Sequence, residues 1–247
     1  MKRLKWFRAL ESVANLVLIL SALVGAVGLS WWGHSSVHFG YPVLYETLAI
    51  DEHIAEYAPQ NRYRDGFAAT SRAERLALFE GIVHAINRGG RGLVALRYQP
   101  APEADPVPLL REPEVTHLRA VAGVVTVLNW AGAVALVAFG ITGITMRLTA
   151  MRLWRTAPLL GLGMVLALAL MVVVAGLDTR DDGWFAWGHN QLFGADHQWF
   201  FYYEDSLMTT LFKAPDLFAP IAVSLALVAV VAASLMYGLA RWLLPRR

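Results

Sequence analysis

Four long apolar runs, none of them interrupted by a charge, constrain this chain more than any other feature. They are roughly Val13–Leu29, Ala120–Met146, Pro158–Leu177 and Phe218–Ala240. Each is near or above the ~20 residues an α-helix needs to cross roughly 30 Å of hydrocarbon. No water reaches the backbone there, so each run must satisfy its own N–H and C=O groups, and a helix does so. Glycine and alanine recur through the last three runs, at Gly132, Gly140, Gly143, Gly161, Gly163, Ala229, Ala232 and Ala233. Small side chains let helix backbones approach closely. The sequence therefore predicts an all-α transmembrane four-helix bundle with spans over 13–32, 118–146, 158–177 and 218–241. Composition agrees: 57% of residues are hydrophobic, 16% are charged, and the mean hydropathy is +0.46.

Charge asymmetry predicts the orientation. Lys2, Arg3, Lys5 and Arg8 precede the first run, within the terminus 1–12. Arg147, Arg152 and Arg155 lie in the connection 147–157, and Arg241, Arg246 and Arg247 close the chain around 242–247. Glu11 is the one acid among these segments. The other acids fall in residues 33–116 or 178–216. Basic loops stay on the cytoplasmic side of a membrane, so both termini are expected inside, and the segments 33–117 and 178–217 outside. The first run exceeds the roughly 7–15 residues of a signal-peptide core, and Trp31 and Trp32 follow it as an interface anchor. It is read as a retained span.

The outer segment 33–117 is expected to be a small mixed α+β domain. Ser71 and Glu74 have the spacing of a capping box at a helix start. Leu76, Phe79, Ile82, Val83 and Ile86 follow at helical spacing. Gly89 and Gly90 end that helix, Leu93–Tyr98 reads as a strand, and Pro100, Pro102, Pro106 and Pro108 hold an extended linker. The 178–217 loop crowds Trp184, Trp187, Trp199, Tyr202 and Tyr203 beside His189, Asp196, His197 and Asp205. Amphipathic rings favour the headgroup level of a bilayer.

Histidine carries the candidate chemistry, because its charge changes near neutral pH. The chain has no cysteine, which excludes thiol nucleophiles, disulfide exchange and thiolate metal sites. His117 begins the second span, with Glu114 three residues before it and Arg119 two after. The topology puts His117 and His189 at the same membrane face, either as a functional pair or as two interfacial residues. His34 and His38, four apart, have a metal-ligand spacing if their segment is helical. His53 and His84 read as solvated surface positions. His197 either lines the site or does not enter it. Asp196, seven residues after His189, either orients that imidazole or caps the segment that follows. Arg119 is placed to meet an oxyanion or to reach lipid phosphate.

Two stretches carry a resemblance to a known family. One is INRGGRGLVALRY followed by PLLREPEVTHLRAV, in which Glu114, His117, Leu118 and Val121 match. The other is the succession Phe185, His189, Phe193, Asp196, Trp199, Asp205, Leu207, Leu211, Pro215 and Phe218. With the order of apolar runs, these resemble the bacterial lipoprotein intramolecular transacylases. The sequence departs from that pattern at Ala120, where the family usually carries an aspartate.

The resemblance implies a bacterial cytoplasmic-membrane enzyme that moves one acyl chain within a lipoprotein. The chain leaves the sn-2 oxygen of the diacylglyceryl group and arrives on the cysteine α-amino nitrogen, leaving a lyso-form lipoprotein. It implies His117 and His189 as the acid–base residues, with the matched Glu114, Asp196 and Trp199 in support; Arg119 and His197 are supporting candidates by position alone. The implied partners are a diacylated lipoprotein N-terminus and membrane lipids, with no nucleic acid, no soluble acyl donor, no metal and no cofactor. Two other classes stay open on the residues alone: a haem- or quinone-binding electron carrier, and a non-catalytic sensor or assembly factor.

Overall fold

The computed structural model describes residues 2–156, 159, 161–164, 166–167, 170, 183–194 and 197–245. In chain order its helices are α1 (Lys2–Ser36), α2 (Tyr41–Thr47), α3 (Ile50–Tyr57), α4 (Arg72–Asn87), α5 (Glu112–Leu148), α6 (Trp184–Phe193), α7 (Leu207–Phe212) and α8 (Phe218–Leu243). One antiparallel hairpin, β1 (Arg97–Tyr98) with β2 (Val107–Pro108), precedes α5. Among the described residues three helices are long and apolar enough to cross a membrane, and they are α1, α5 and α8. They contain the expected first, second and fourth spans. Residues 159, 161–164, 166–167 and 170 of the expected third span are helical, and the rest of it lies outside the described residues.

The chain divides into two compact units. The first comprises Met1–Gly33, Leu128–Val173 and Val223–Arg247. Its helices meet through small residues. A Cβ added to Gly28 would lie 3.0 Å from the Gly132 Cα, so α1 and α5 touch backbone to backbone there. Ala22, Ala26, Ala229 and Ala233 are buried around Tyr237, whose hydroxyl donates to the Ile19 carbonyl at 2.9 Å. Polar contacts fix the register: Trp32 Nε1 donates to Asn129 Oδ1 at 2.7 Å and Ser30 Oγ to the Leu225 carbonyl at 2.7 Å.

Glu11, the acid among the basic segments, is buried beside Asn15 and closes the connection after α5. Its carboxylate accepts from the Arg152 amide at 3.1 Å. Asn15 donates to the Arg152 carbonyl at 3.0 Å and accepts from the Trp154 amide at 2.9 Å.

The second unit comprises His34–Val127 and Val174–Ala222. Its core joins α2, α3 and α4 to α7 and the residues on either side of α7. Tyr41 stacks on Phe79 with ring centroids 3.7 Å apart, and its hydroxyl donates to the Leu211 carbonyl at 2.6 Å. Arg75 is buried with four hydrogen bonds on its guanidinium. It donates to Thr70 Oγ1 and the Tyr45 hydroxyl at 2.9 Å each, to the Ala68 carbonyl at 2.8 Å, and to Asp51.

Several local expectations change. Ser71 does cap α4, accepting from the Glu74 amide at 3.2 Å, but Glu74 turns its own carboxylate to the Gln99 amide at 2.9 Å. The helix therefore has half a capping box and a tie to the hairpin. The expected strand at 93–98 begins instead as a 3-10 turn over Leu93–Ala95, because Gly92 enters it at φ +100°. Only Arg97 and Tyr98 pair, and their partners are Pro108 and Val107. Part of the expected proline linker is thus a strand, and this hairpin is the one sheet among the unit's described residues. His53 is buried at 7% exposure against Tyr57 and Tyr203, not solvated, because α3 turns it toward the core. The helical i, i+4 relation proposed for His34 and His38 does not hold: α1 ends at Ser36, and His38 lies beyond it at φ +49°.

Candidate functional site

α5 begins with Pro113 and two acids in its first turn, a composition suited to a helix N-terminus. One of the acids, Glu114, turns inward and is fully buried. Its carboxylate accepts from Ser206 Oγ at 2.6 Å, the Met208 amide at 3.3 Å and the Arg111 amide at 2.6 Å. This ties the start of α5 to the start of α7 across 92 residues of sequence. His117 is one turn further along the same face. The apolar stretch of α5 begins at Ala120, beyond Arg119, so Glu114 and His117 both precede the span. Burial raises the Glu114 pKa, and the bonds from Ser206, Arg111 and Met208 oppose the rise.

α6 supplies His189 and Phe193, four residues apart and on one face. Gly194 then turns the chain at φ +90°, ψ 148°, a backbone region close to one that only glycine adopts readily. The His197 amide donates back to the Gly194 carbonyl at 3.2 Å. The turn returns His197 to the face it has just left.

Three imidazoles gather here. His117 Nδ1 lies 3.3 Å from His197 Nε2, within hydrogen-bond reach, so one ring donates and the other accepts. The His117 and His189 ring centroids are 6.5 Å apart with planes 26° from parallel. Phe193 lies 5.6 Å from His117 and 5.5 Å from His197, and Phe201 lies 6.1 Å from His117. Trp199 stacks on His189 at 4.6 Å, and its indole N–H donates to Asn190 at 3.2 Å. His117 is only 9% exposed. Burial first, and then the positive charge that His197 and His189 would share with it, push its pKa down to about 4. At neutral pH this ring is uncharged, and a proton it takes up is held only weakly. On the same stretch of chain, Trp187, Leu192, Phe200 and Tyr202 are exposed.

The structure thus brings together His117, His189, His197 and Trp199, with Glu114 holding the helix that carries His117. Arg119 is elsewhere. Two residues of helix rotate it about 200° from His117, and it pairs with Glu112 at 3.8 Å at a half-exposed position. Asp196 lies outside the described residues. Ser206 was not singled out in the sequence, where a serine before an apolar helix reads only as a cap. It does cap α7, accepting from the Thr209 amide at 3.0 Å, while its hydroxyl proton goes to Glu114.

Three long apolar helices and a histidine cluster set among aromatic rings mark an integral membrane protein with three imidazoles gathered in one place. Its fold is that of solved structures of the membrane integral lipoprotein intramolecular transacylase Lit from Bacillus cereus. One of them, carrying a substitution of histidine by arginine, aligns at a TM-score of 0.72 and 16% identity, over 98% of this chain and 95% of that one. A second, with alanine for a histidine, gives 0.72 and 16% over 98% and 96%, and a third gives 0.68 and 14% over 95% and 96%. The resemblance drawn from the two sequence motifs holds at the level of the fold. No protein-family model matches the sequence, and no curated protein matches it.

Proposed function

We propose that the protein is a membrane acyltransferase of the lipoprotein transacylase type. It moves the sn-2 acyl chain of a diacylglyceryl-cysteine lipoprotein to the α-amino group of the same cysteine. The observation that carries this reading is the meeting of His117 and His189, 72 residues apart in sequence, at 6.5 Å. The fold shared with the Bacillus cereus transacylase supports it. The basic-residue asymmetry supports a topology with both termini in the cytoplasm and the cluster on the extracytoplasmic side of a bacterial cytoplasmic membrane, where a lipoprotein N-terminus is presented.

The chemistry balances without an external donor. The α-ammonium, with a pKa of roughly 8, gives one proton to an imidazole. The free amine attacks the sn-2 ester carbonyl, and the N–C bond forms as the carbonyl oxygen becomes an oxyanion. The oxyanion collapses, the C–O bond to glycerol breaks, and the imidazolium returns its proton to the leaving alkoxide; the nitrogen, which still carries two protons, gives one to the freed imidazole and through it to water. The product is an amide on the cysteine and a free sn-2 hydroxyl. Because ester and amine belong to one molecule, positioning them supplies the entropic advantage of an intramolecular reaction.

His117 and His189 share the base and acid duties in this scheme. His197 is a positioning residue, fixing the His117 tautomer through the 3.3 Å contact. Trp199 orients His189 by stacking. The test is mass spectrometry of lipoprotein N-termini from cells expressing His117→Ala or His189→Ala. Lyso-form production should fall by about 100-fold or more, the usual scale of a lost acid–base group. Undiminished production by either variant removes that residue from the chemistry.

A further inference from the structure

A second histidine cluster lies in the same unit and takes no part in the reaction proposed above. Glu80 and His84 are four residues apart on α4, so they share one face. His38, just past the end of α1, meets them. His38 Nε2 is 3.6 Å and His84 Nε2 3.8 Å from the same Glu80 oxygen. The two rings are 5.6 Å apart at 63°. Potential donor atoms from all three residues lie within 4.8 Å of one another.

The backbone that presents His38 is unusual. His38 and Phe39 sit at φ +49° and +54°, before Gly40 at +70°. Non-glycine residues occupy this left-handed region at a cost, and persist there only where surrounding contacts hold them. Here Asn87, one turn beyond His84, donates to Ser35 Oγ at 2.9 Å. Phe39 packs on the core of the unit. The two elements are therefore tied on both sides of the cluster.

We infer that His38, Glu80 and His84 form a binding site for a divalent transition-metal ion of the zinc class. Two imidazoles and a carboxylate are its donor set, with bonds of about 2.0–2.2 Å. Tetrahedral donors at that radius are about 3.3–3.5 Å apart. The two carboxylate–imidazole separations exceed this by a few tenths of an ångström, and all donor pairs lie within 4.8 Å, so side-chain rotations close the site. With His84 half exposed, a fourth position stays open to water. The ion clamps α4 to the segment that follows α1. Hard ions such as magnesium prefer all-oxygen donors and are not expected to compete. The inference does not rest on the transacylase reading.

The test uses the full chain without a polyhistidine tag, purified in detergent and stripped of metal, titrated with zinc ions alone. The expected result is one equivalent bound. Absorption-edge spectroscopy should give two imidazole nitrogens and a carboxylate oxygen at about 2.0–2.2 Å. His38→Ala, His84→Ala and the sterically conservative Glu80→Gln should each weaken binding by at least about 10-fold, while His117→Ala leaves it unchanged. Zinc should raise the thermal midpoint of the native chain and not of His84→Ala. Stoichiometric binding that survives these three substitutions, or that His117→Ala abolishes, overturns the inference. So does the lack of a zinc equivalent in the native chain.

Discussion

Glu114 is worth more to this protein as an anchor than its charge suggests. It is fully buried, yet one carboxylate satisfies a hydroxyl and two backbone amides from two distant segments. Removing it strands those donors in a low-dielectric place. Glu114→Ala should therefore cost roughly 3–5 kcal/mol, the range seen when one partner of a buried charged network is deleted. Glu114→Gln keeps the shape and one acceptor, and should cost about 1–3 kcal/mol. Thermal unfolding in detergent checks both. An Ala variant as stable as the native chain would show that Glu114 does not hold the face that carries His117. The sequence marked Glu114 only as part of a motif three residues before a histidine. Its partner Ser206 lies 92 residues away, and no spacing rule reaches that far. His53 was misread for a related reason: polarity along α3 says where water is expected, and Tyr203, from another segment, covers the ring instead.

At the scale of elements, the close pass of α1 and α5 depends on two glycines. A Cβ at Gly28 would meet the backbone of Gly132 at 3.0 Å, and backbone yields less readily than a side-chain tip. Gly28→Ala should destabilise the chain by about 1–3 kcal/mol through overpacking. Gly33, on the same helix, faces open space. Gly33→Ala should be neutral, or stabilising by up to about 1 kcal/mol from helix propensity. The pair of melting curves tests the contact, and equal effects at the two positions would contradict it. Length and hydropathy announced these helices, because an uncharged run of twenty or more residues has few alternatives in a bilayer. They did not announce which glycines touch, since spacing along one helix does not name its partner. The hairpin was harder still. Gly92 spends the first half of LVALRY on a 3-10 turn, and pairing is left to two residues.

For the molecule as a whole, the long apolar helices were legible from the apolar runs, three of which are such helices among the described residues, and the fold they share with solved transacylase structures at only 14–16% identity was legible from two motifs. The site was legible in part. His117 and His189 stood out because one begins the second apolar run and the other lies in the loop before the fourth, segments that the charge asymmetry predicts at one face. That His197 touches His117 depends on the turn at Gly194, which the sequence only hinted at by placing a glycine there. Arg119 had two readings, an oxyanion or lipid phosphate; two residues of helix turn it away from His117, and it pairs with Glu112. The central claim is that these rings move an acyl chain within one substrate molecule. It is tested most directly with the purified protein in phospholipid vesicles and a synthetic diacylated lipopeptide whose sn-2 chain is deuterated. The account predicts that mass spectrometry finds the deuterated chain on the cysteine α-nitrogen of the same peptide, with a free sn-2 hydroxyl and no phospholipid-derived acyl group. An unlabelled chain on that nitrogen, or no N-acylation at all, would contradict it.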